Sequence, residues 1–259
     1  MELAALLREQ GSAAVAFSGG VDSTYLLAVA YEVLKDRAVA VTVRSSVIPV
    51  REFEEACAFC EKLGVRQIVI DADVFAVEGF AQNPPDRCYH CKKNIFTMIK
   101  EAAAELGITY VCDGTNADDT DDYRPGMRAL AELGIRSPLK EAGLTKKMIR
   151  ERSRELGLPT WNHPSMACLA SRFAYGETIT EEGLRAVEKA EELLRTKDFA
   201  QYRVRVHGNL ARIEVMPEDM DRLLGMSDEI SAGLKALGFS YVTMDLRGYR
   251  TGSMNEVLG

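Results

Sequence analysis

Ala13-Ala14-Val15-Ala16-Phe17-Ser18-Gly19-Gly20-Val21-Asp22-Ser23 is the stretch on which the reading turns. Its first five residues form a short apolar run of the buried-strand type, and Tyr25 to Leu34 is apolar at helical spacing. Two glycines between strand and helix let the backbone turn tightly and approach a ligand with no Cβ in the way. The positive end of the following helix then favours an anion such as a phosphate. Ser18 and Ser23 supply hydroxyl donors. Asp22 is the odd member, because a carboxylate is repelled by phosphate, and it makes sense if it holds Mg²⁺ or orients the loop. No lysine of the G-x-x-x-x-G-K-[ST] type follows. The competing reading is a strand-to-helix turn capped by Ser and Asp; the full hexapeptide behind an apolar strand favours a nucleotide.

Outward from this loop, strands and helices alternate. Strands are expected at Ala38–Val43, Val65–Asp71 and Thr109–Cys112, with helices at about Arg51–Leu63, Lys92–Leu106 and Lys146–Leu156. Such spacing predicts crossover units and an α/β fold, a parallel sheet flanked by helices. Near Trp161–Tyr175 the pattern breaks. Thr180 then caps a helix to Leu194, and Tyr202–Val206 and Leu210–Val215 read as paired strands joined at Gly208-Asn209. Further helices reach Leu237, and a last strand is expected at Tyr241–Leu246. This predicts two domains, residues 1–170 and a smaller α+β domain over 171–259. Asp113-Gly114-Thr115-Asn116 follows the fourth strand, and strand C-terminal ends face the ligand crevice of open parallel sheets. Arg124, Arg128 and Arg136 lie downstream as possible phosphate partners or as solvated surface residues.

With 259 residues, 47% hydrophobic and 27% charged, the chain has the composition of a globular protein. The net charge of −7 argues against a nucleic-acid partner. The absence of a basic leader and of a long apolar run predicts a cytoplasmic protein with no membrane partner. The six cysteines are Cys57, Cys60, Cys88, Cys91, Cys112 and Cys168. In that compartment metal binding, redox chemistry or burial are more natural than disulfides. Arg87-Cys88-Tyr89-His90-Cys91-Lys92-Lys93 places a C-x-x-C at a helix start, where nearby positive charge favours thiolate. With Cys168, from the loop Ala167-Cys168-Leu169-Ala170-Ser171-Arg172, three thiolates can hold three irons of a four-iron cluster. Zinc with His90 or His163 as a fourth ligand, and plain packing, remain alternatives. Cys57 and Cys60 lie on a helix whose apolar stripe makes burial the default for Cys60, and Cys112 ends a strand. Arg203 and Arg205 alternate on a strand and share a face, which suits a phosphate or a surface cross-strand ion pair.

Taken together, the PP-loop at Ser18–Ser23, the cysteine segment 87–93, Asp113–Asn116, Ala167–Arg172, Arg203-Val204-Arg205, Ala211–Val215 and Gly248–Glu256 resemble the LarE family. These are PP-loop ATP-dependent sulfur transferases of nickel-pincer nucleotide biosynthesis, and the resemblance covers nearly the whole chain. It implies ATP and Mg²⁺ as cofactors, held by Ser18, Gly19, Gly20, Asp22, Ser23, Asp113, Gly114 and Thr115. The implied substrate is a pyridinium mononucleotide with two carboxylates, its phosphate met by Arg203, Arg205, Ser171 and Arg172. A carboxylate would be adenylated and AMP displaced by sulfur, with Cys168, Cys88 and Cys91 holding a 4Fe-4S cluster. The family also contains members that sacrifice the cysteine matching Cys168, leaving dehydroalanine. A metal site with Glu191 and Glu214, and a homo-oligomer such as a hexamer, are further implications. Val206-His207-Gly208-Asn209 departs from the family pattern, which puts a role for His207 in doubt. A cluster-dependent tRNA thiolase and an amide-forming ligase share the PP-loop and stand as alternatives.

Overall fold

β1 (Ala13–Ala16) has residues small enough for helices to pack closely on both of its faces. Ala13 and Val15 enter one apolar cluster and Ala14 the other, the period-two alternation of a central strand. The computed structural model describes residues 2–119, 125–165 and 167–258, so Arg124 lies outside the described residues. The chain forms two compact units, Met1–Val77 with Cys88–Met166, and Glu78–Arg87 with Ala167–Gly259.

In the first unit, β1 pairs in parallel with β2 (Ala38–Arg44) and with β4 (Val111–Cys112), and β2 pairs in parallel with β3 (Arg66–Asp71). The order β3-β2-β1-β4 leaves β1 and its following loop interior to the sheet. One face packs α1 (Leu3–Gln10), α2 (Val21–Leu34), α3 (Val50–Leu63) and α7 (Lys146–Glu155), through residues such as Leu7, Leu26, Ala56 and Ile149. The other packs α4 (Arg87–Glu105) and α5 (Pro125–Glu132), through Phe96, Ile99, Ala103 and Leu130. The short α6 (Pro138–Glu141) precedes α7. Helix α4 begins five residues before the expected Lys92, so Cys88 and Cys91 lie in its first two turns rather than before it.

In the second unit, β5 (Tyr202–His207) and β6 (Leu210–Val215) form an antiparallel hairpin, and β7 (Tyr241–Met244) joins β6 in parallel. α8 (Glu181–Arg195) is capped by Thr180, whose hydroxyl accepts from Gly183 N at 3.0 Å. α9 (Met220–Gly225) and α10 (Ser227–Ala236) connect β6 to β7. Segment 78–87 belongs to this unit through its own bonds: Ile179 N donates to Ala81 O at 2.8 Å and Asn83 Nδ2 to Ala174 O at 2.7 Å. No helix among the described residues is long and apolar enough to cross a membrane.

Candidate active site

The glycine loop leaves β1 and enters α2, whose fourteen residues aim their N-terminus at it. Gly19 has φ +76°, and a Cβ there would stand 3.1 Å from the Ala56 Cβ of α3. Only glycine combines that backbone with so close a neighbour. Ser18 Oγ and Ser23 Oγ lie 3.1 Å apart, and Ser23 Oγ also donates to Gly20 O at 3.2 Å, closing the loop on itself. The second loop meets the first at close backbone range: a Cβ on Gly114 would lie 2.9 Å from Ser23 N. Ser18, Gly19, Gly20, Asp22, Ser23 and Gly114 are thus gathered at the C-terminal ends of β1 and β4, with Asp113 and Thr115 flanking Gly114. Asp113 is turned to its own loop. Its carboxylate accepts from Thr115 N at 3.3 Å, from Ser137 Oγ at 2.7 Å and from the Thr115 hydroxyl. It shapes the loop that presents Gly114.

Asp22 is where the electrostatics concentrate. Its Oδ2 accepts from Lys146 Nζ at 2.6 Å. Its Oδ1 is buried without a well-formed hydrogen bond to any described residue. Burial pushes the carboxyl above its ordinary value, Lys146 pulls it back, Asp119 adds to the rise and the Asn116 side chain opposes it. A half-satisfied, half-buried carboxylate beside a phosphate-type loop is a place for a cation. The oxygen donors fit Mg²⁺, which takes one or two carboxylates plus ligand phosphates. Lys146 was passed over by sequence reasoning. It opens α7, with Thr145 as cap accepting from Met148 N at 3.3 Å. The signal was present: Lys146 and Lys147 begin a helix whose first turn carries no acid, against the helix dipole. Of the arginines proposed as phosphate partners, Arg128 and Arg136 pair instead with Glu132 and Glu141, at 3.6 and 2.6 Å.

The cysteines divide by exposure. Cys88 is exposed and Cys91 half-buried, and their i, i+3 spacing puts both on one face of α4. Cys168 is exposed, at the head of a 3₁₀ turn over Leu169–Arg172. Cys60 and Cys112 are buried, which pushes the Cys60 thiol up to about 12 and the Cys112 thiol higher still. Solvent-reachable thiols suit soft-metal or sulfur chemistry, whereas the buried pair is fixed as thiol. Cys57 and Cys60 line an open cleft of about 500 Å³ with Phe53, Glu54, Glu61 and Gln67.

In the second unit the structure brings together Ser171, Arg172, Glu191, Arg203, Arg205 and Glu214. Arg172 grips Glu191 with two bonds of 2.8 and 2.9 Å, and Glu191 Oε1 also accepts from Val204 N at 3.0 Å. Burial pushes the Glu191 carboxyl up, but the attraction of Arg172, its hydrogen bonds and Arg203 outweigh this and hold it below its ordinary value. Arg205 donates to Glu214 Oε2 at 3.0 and 2.9 Å, to Ser253 Oγ at 3.0 Å and to Ser171 O at 3.2 Å. Glu214 Oε1 takes Ser253 Oγ at 2.8 Å and Arg212 at 3.3 Å. Arg203 lies beside the Tyr249 ring at 5.4 Å, and burial with the nearby Arg172 pushes its guanidinium down to about 10. The pair is therefore not on the surface: Arg203 and Arg205 are each 6% exposed. Three buried guanidiniums (Arg172, Arg203, Arg205) lie with two buried carboxylates (Glu191, Glu214). Both carboxylates expected at a metal are already held by guanidiniums. Among the described residues no three His, Cys, Asp or Glu side chains are gathered as metal ligands. His207 is pushed down by burial and by Arg212.

A parallel sheet with this glycine loop, an embedded aspartate and a second loop packed on it defines a nucleotide-utilising enzyme of the PP-loop class. The NAD synthase family model matches residues 4–101. An uncharacterized protein of Synechocystis is 43% identical over 255 residues, 96% of this chain and 94% of that one. The pyridinium-3,5-bisthiocarboxylic acid mononucleotide synthase of Lactiplantibacillus plantarum is 38% identical over 257 residues, 99% of this chain and 93% of that one. The glutamine-hydrolyzing GMP synthase of Phaeosphaeria nodorum is 28% identical over 219 residues, 72% of this chain and 40% of that one. The chain belongs to the LarE family of ATP-dependent sulfur transferases.

Proposed function

We propose that the protein activates a carboxylate of a pyridinium-dicarboxylate mononucleotide with ATP and converts it to a thiocarboxylate. The observation that carries this is the pairing of Asp22 in the PP-loop with Lys146 of α7, in a chain similar along almost its whole length to a synthase of the bisthiocarboxylated mononucleotide. ATP would place its phosphates over the α2 N-terminus, and Asp22, with one buried oxygen unbonded, would hold Mg²⁺, which would supply positive charge to the phosphates. Lys146, now on Asp22, is placed to donate to a phosphate oxygen. A substrate carboxylate oxygen attacks the α-phosphorus, the bond to the β-phosphate oxygen breaks, and pyrophosphate leaves with Lys146 offsetting part of its charge. The acyl-adenylate has phosphate as leaving group. A hydrosulfide-level sulfur adds to the acyl carbon, and AMP departs with the former carboxylate oxygen.

In this reading the nucleotide phosphate of the substrate meets the arginine cluster of the second unit. The gathering of three buried guanidiniums supports that role, with Arg203, Arg205, Arg172 and Ser171 as the contacts. Cys88, Cys91 and Cys168 would hold a 4Fe-4S cluster. Their accessibility and thiol chemistry fit it, in contrast to Cys60 and Cys112. Such a group supplies reloadable sulfur. A homo-oligomer assembled through residues 171–259, working in the cytoplasm without nucleic acid or membrane, completes the proposal.

The test is anaerobic incubation with Mg-ATP and the dicarboxylated mononucleotide. One AMP and one pyrophosphate should appear per thiocarboxylate, and iron and sulfide content should fall in Cys88→Ala. If no AMP is released, the reading fails. Iron-free protein that loses sulfur mass at Cys168 in one turnover would replace the cluster with the sacrificial route.

A further inference from the structure

We propose that Arg87 is a positioning residue for the sulfur step, its buried guanidinium holding the backbone of the loop that presents Cys168. This rests on the reading above, in which Cys168 is one of the sulfur-handling thiols. Arg87 is 4% exposed, and burying a guanidinium is costly unless several acceptors receive it. Its Nη1 donates to Ala170 O at 3.0 Å and to the Asn83 side-chain oxygen. Asn83 is itself fully buried with φ +53°, a left-handed backbone that Asn tolerates better than most residues. From there its amide nitrogen donates to Phe173 O at 3.3 Å and Ala174 O at 2.7 Å. Arg172 completes the arrangement with bonds to Ala167 O at 2.7 Å and Cys168 O at 3.1 Å.

Two guanidiniums and one amide therefore take the carbonyls of residues 167, 168, 170, 173 and 174. The loop has little regular ladder: its turn bonds run from Ser171 N to Cys168 O at 2.9 Å and from Phe173 N to Ala170 O at 3.3 Å, and at its end Ala174 N bonds Val206 O of β5 at 3.4 Å. What remains is a fixed backbone with an exposed thiol at its head. Arg87 is also the first residue of α4. Displacements of an ångström at reacting atoms cost up to about a hundredfold in rate, so such a clamp bears on sulfur delivery.

The test compares wild type with Arg87→Ala and Arg87→Lys in full-length protein. Hydrogen exchange of the 167–174 amides, measured without iron or nucleotide, should accelerate at least tenfold in Arg87→Ala while the β5–β6 amides stay as in wild type. In anaerobic, iron-loaded protein the AMP released per thiocarboxylate formed should rise at least fivefold, with Arg87→Lys intermediate. Unchanged loop exchange overturns the proposal, as does exchange that rises equally in loop and hairpin, or a loosened loop with an unaltered AMP-to-product ratio. Wild type that releases no AMP refutes the functional reading instead, and exchange still reports on the clamp.

Discussion

Gly114→Ala tests whether the two loops form one ATP site. The added Cβ would stand 2.9 Å from Ser23 N, 3.2 Å from Ser23 Cα and 3.4 Å from the carbonyl carbon of Asp22. All three are backbone atoms at the start of α2, so no side chain can swing aside. Ordinary contact needs about 3.5 Å, so the loops must separate by roughly half an ångström. Overpacking of this kind costs about 1–3 kcal/mol. In the ligand-free protein the loops relieve it by moving apart, whereas ATP bound across both requires them together. The strain then appears in binding, as a loss of affinity of about 5- to 150-fold. Calorimetric titration with a non-hydrolysable Mg-ATP analogue measures it. Gly225→Ala is the control, because a Cβ on Gly225 meets nothing within 4 Å and its affinity should match wild type. Binding by Gly114→Ala within twofold of wild type would refute the idea that ATP spans both loops.

Lys146→Met removes the charge that offsets burial at Asp22, so the carboxyl rises further and is protonated at higher pH. Pyrophosphate release should fall more at pH 6 than at pH 8, read from the pH profile. Glu214→Gln leaves Arg205 and Arg212 without their shared, fully buried carboxylate. Urea unfolding should show a loss of about 3–5 kcal/mol. Glu191 has a folded pKa held below its ordinary 4.5, so its contribution to stability is complete above that value and is lost as pH falls through the folded pKa. The urea midpoint should decline below pH 4.5, and Glu191→Gln should flatten that decline.

The first unit was legible because local chemistry and topology agree there. A strand of small apolar residues, a paired glycine turn and a helix at 3.6-residue spacing each demand the same crossover unit. The helix carrying the C-x-x-C was placed too late, since Arg87, Tyr89 and His90 lack the apolar periodicity that marks a helix. Tyr89 is held instead by Glu132 at 2.7 Å and by Arg128, whose guanidinium stacks 3.8 Å from its ring. Those are partners some forty residues away, beyond the reach of any window.

Long-range pairing also hid what the second unit does with its charges. On the strand, Arg203 and Arg205 read as phosphate ligands, with a surface cross-strand ion pair as the alternative. Burial turns that ambiguity into an electrostatic argument, because a guanidinium pushed down to about 10 is one stripped of water and crowded by like charge. Glu191 and Glu214 read in sequence as ordinary helix and strand carboxylates, with a metal site implied only by the family resemblance; in the structure they pair with Arg172 and Arg205. A phosphate entering this cluster would meet three buried guanidiniums, whereas a divalent cation would have to displace the arginines paired with both carboxylates. On the proposed function this cluster takes an anion, and a sulfate or phosphate titration should raise the unfolding midpoint of wild type but not of Arg203→Ala.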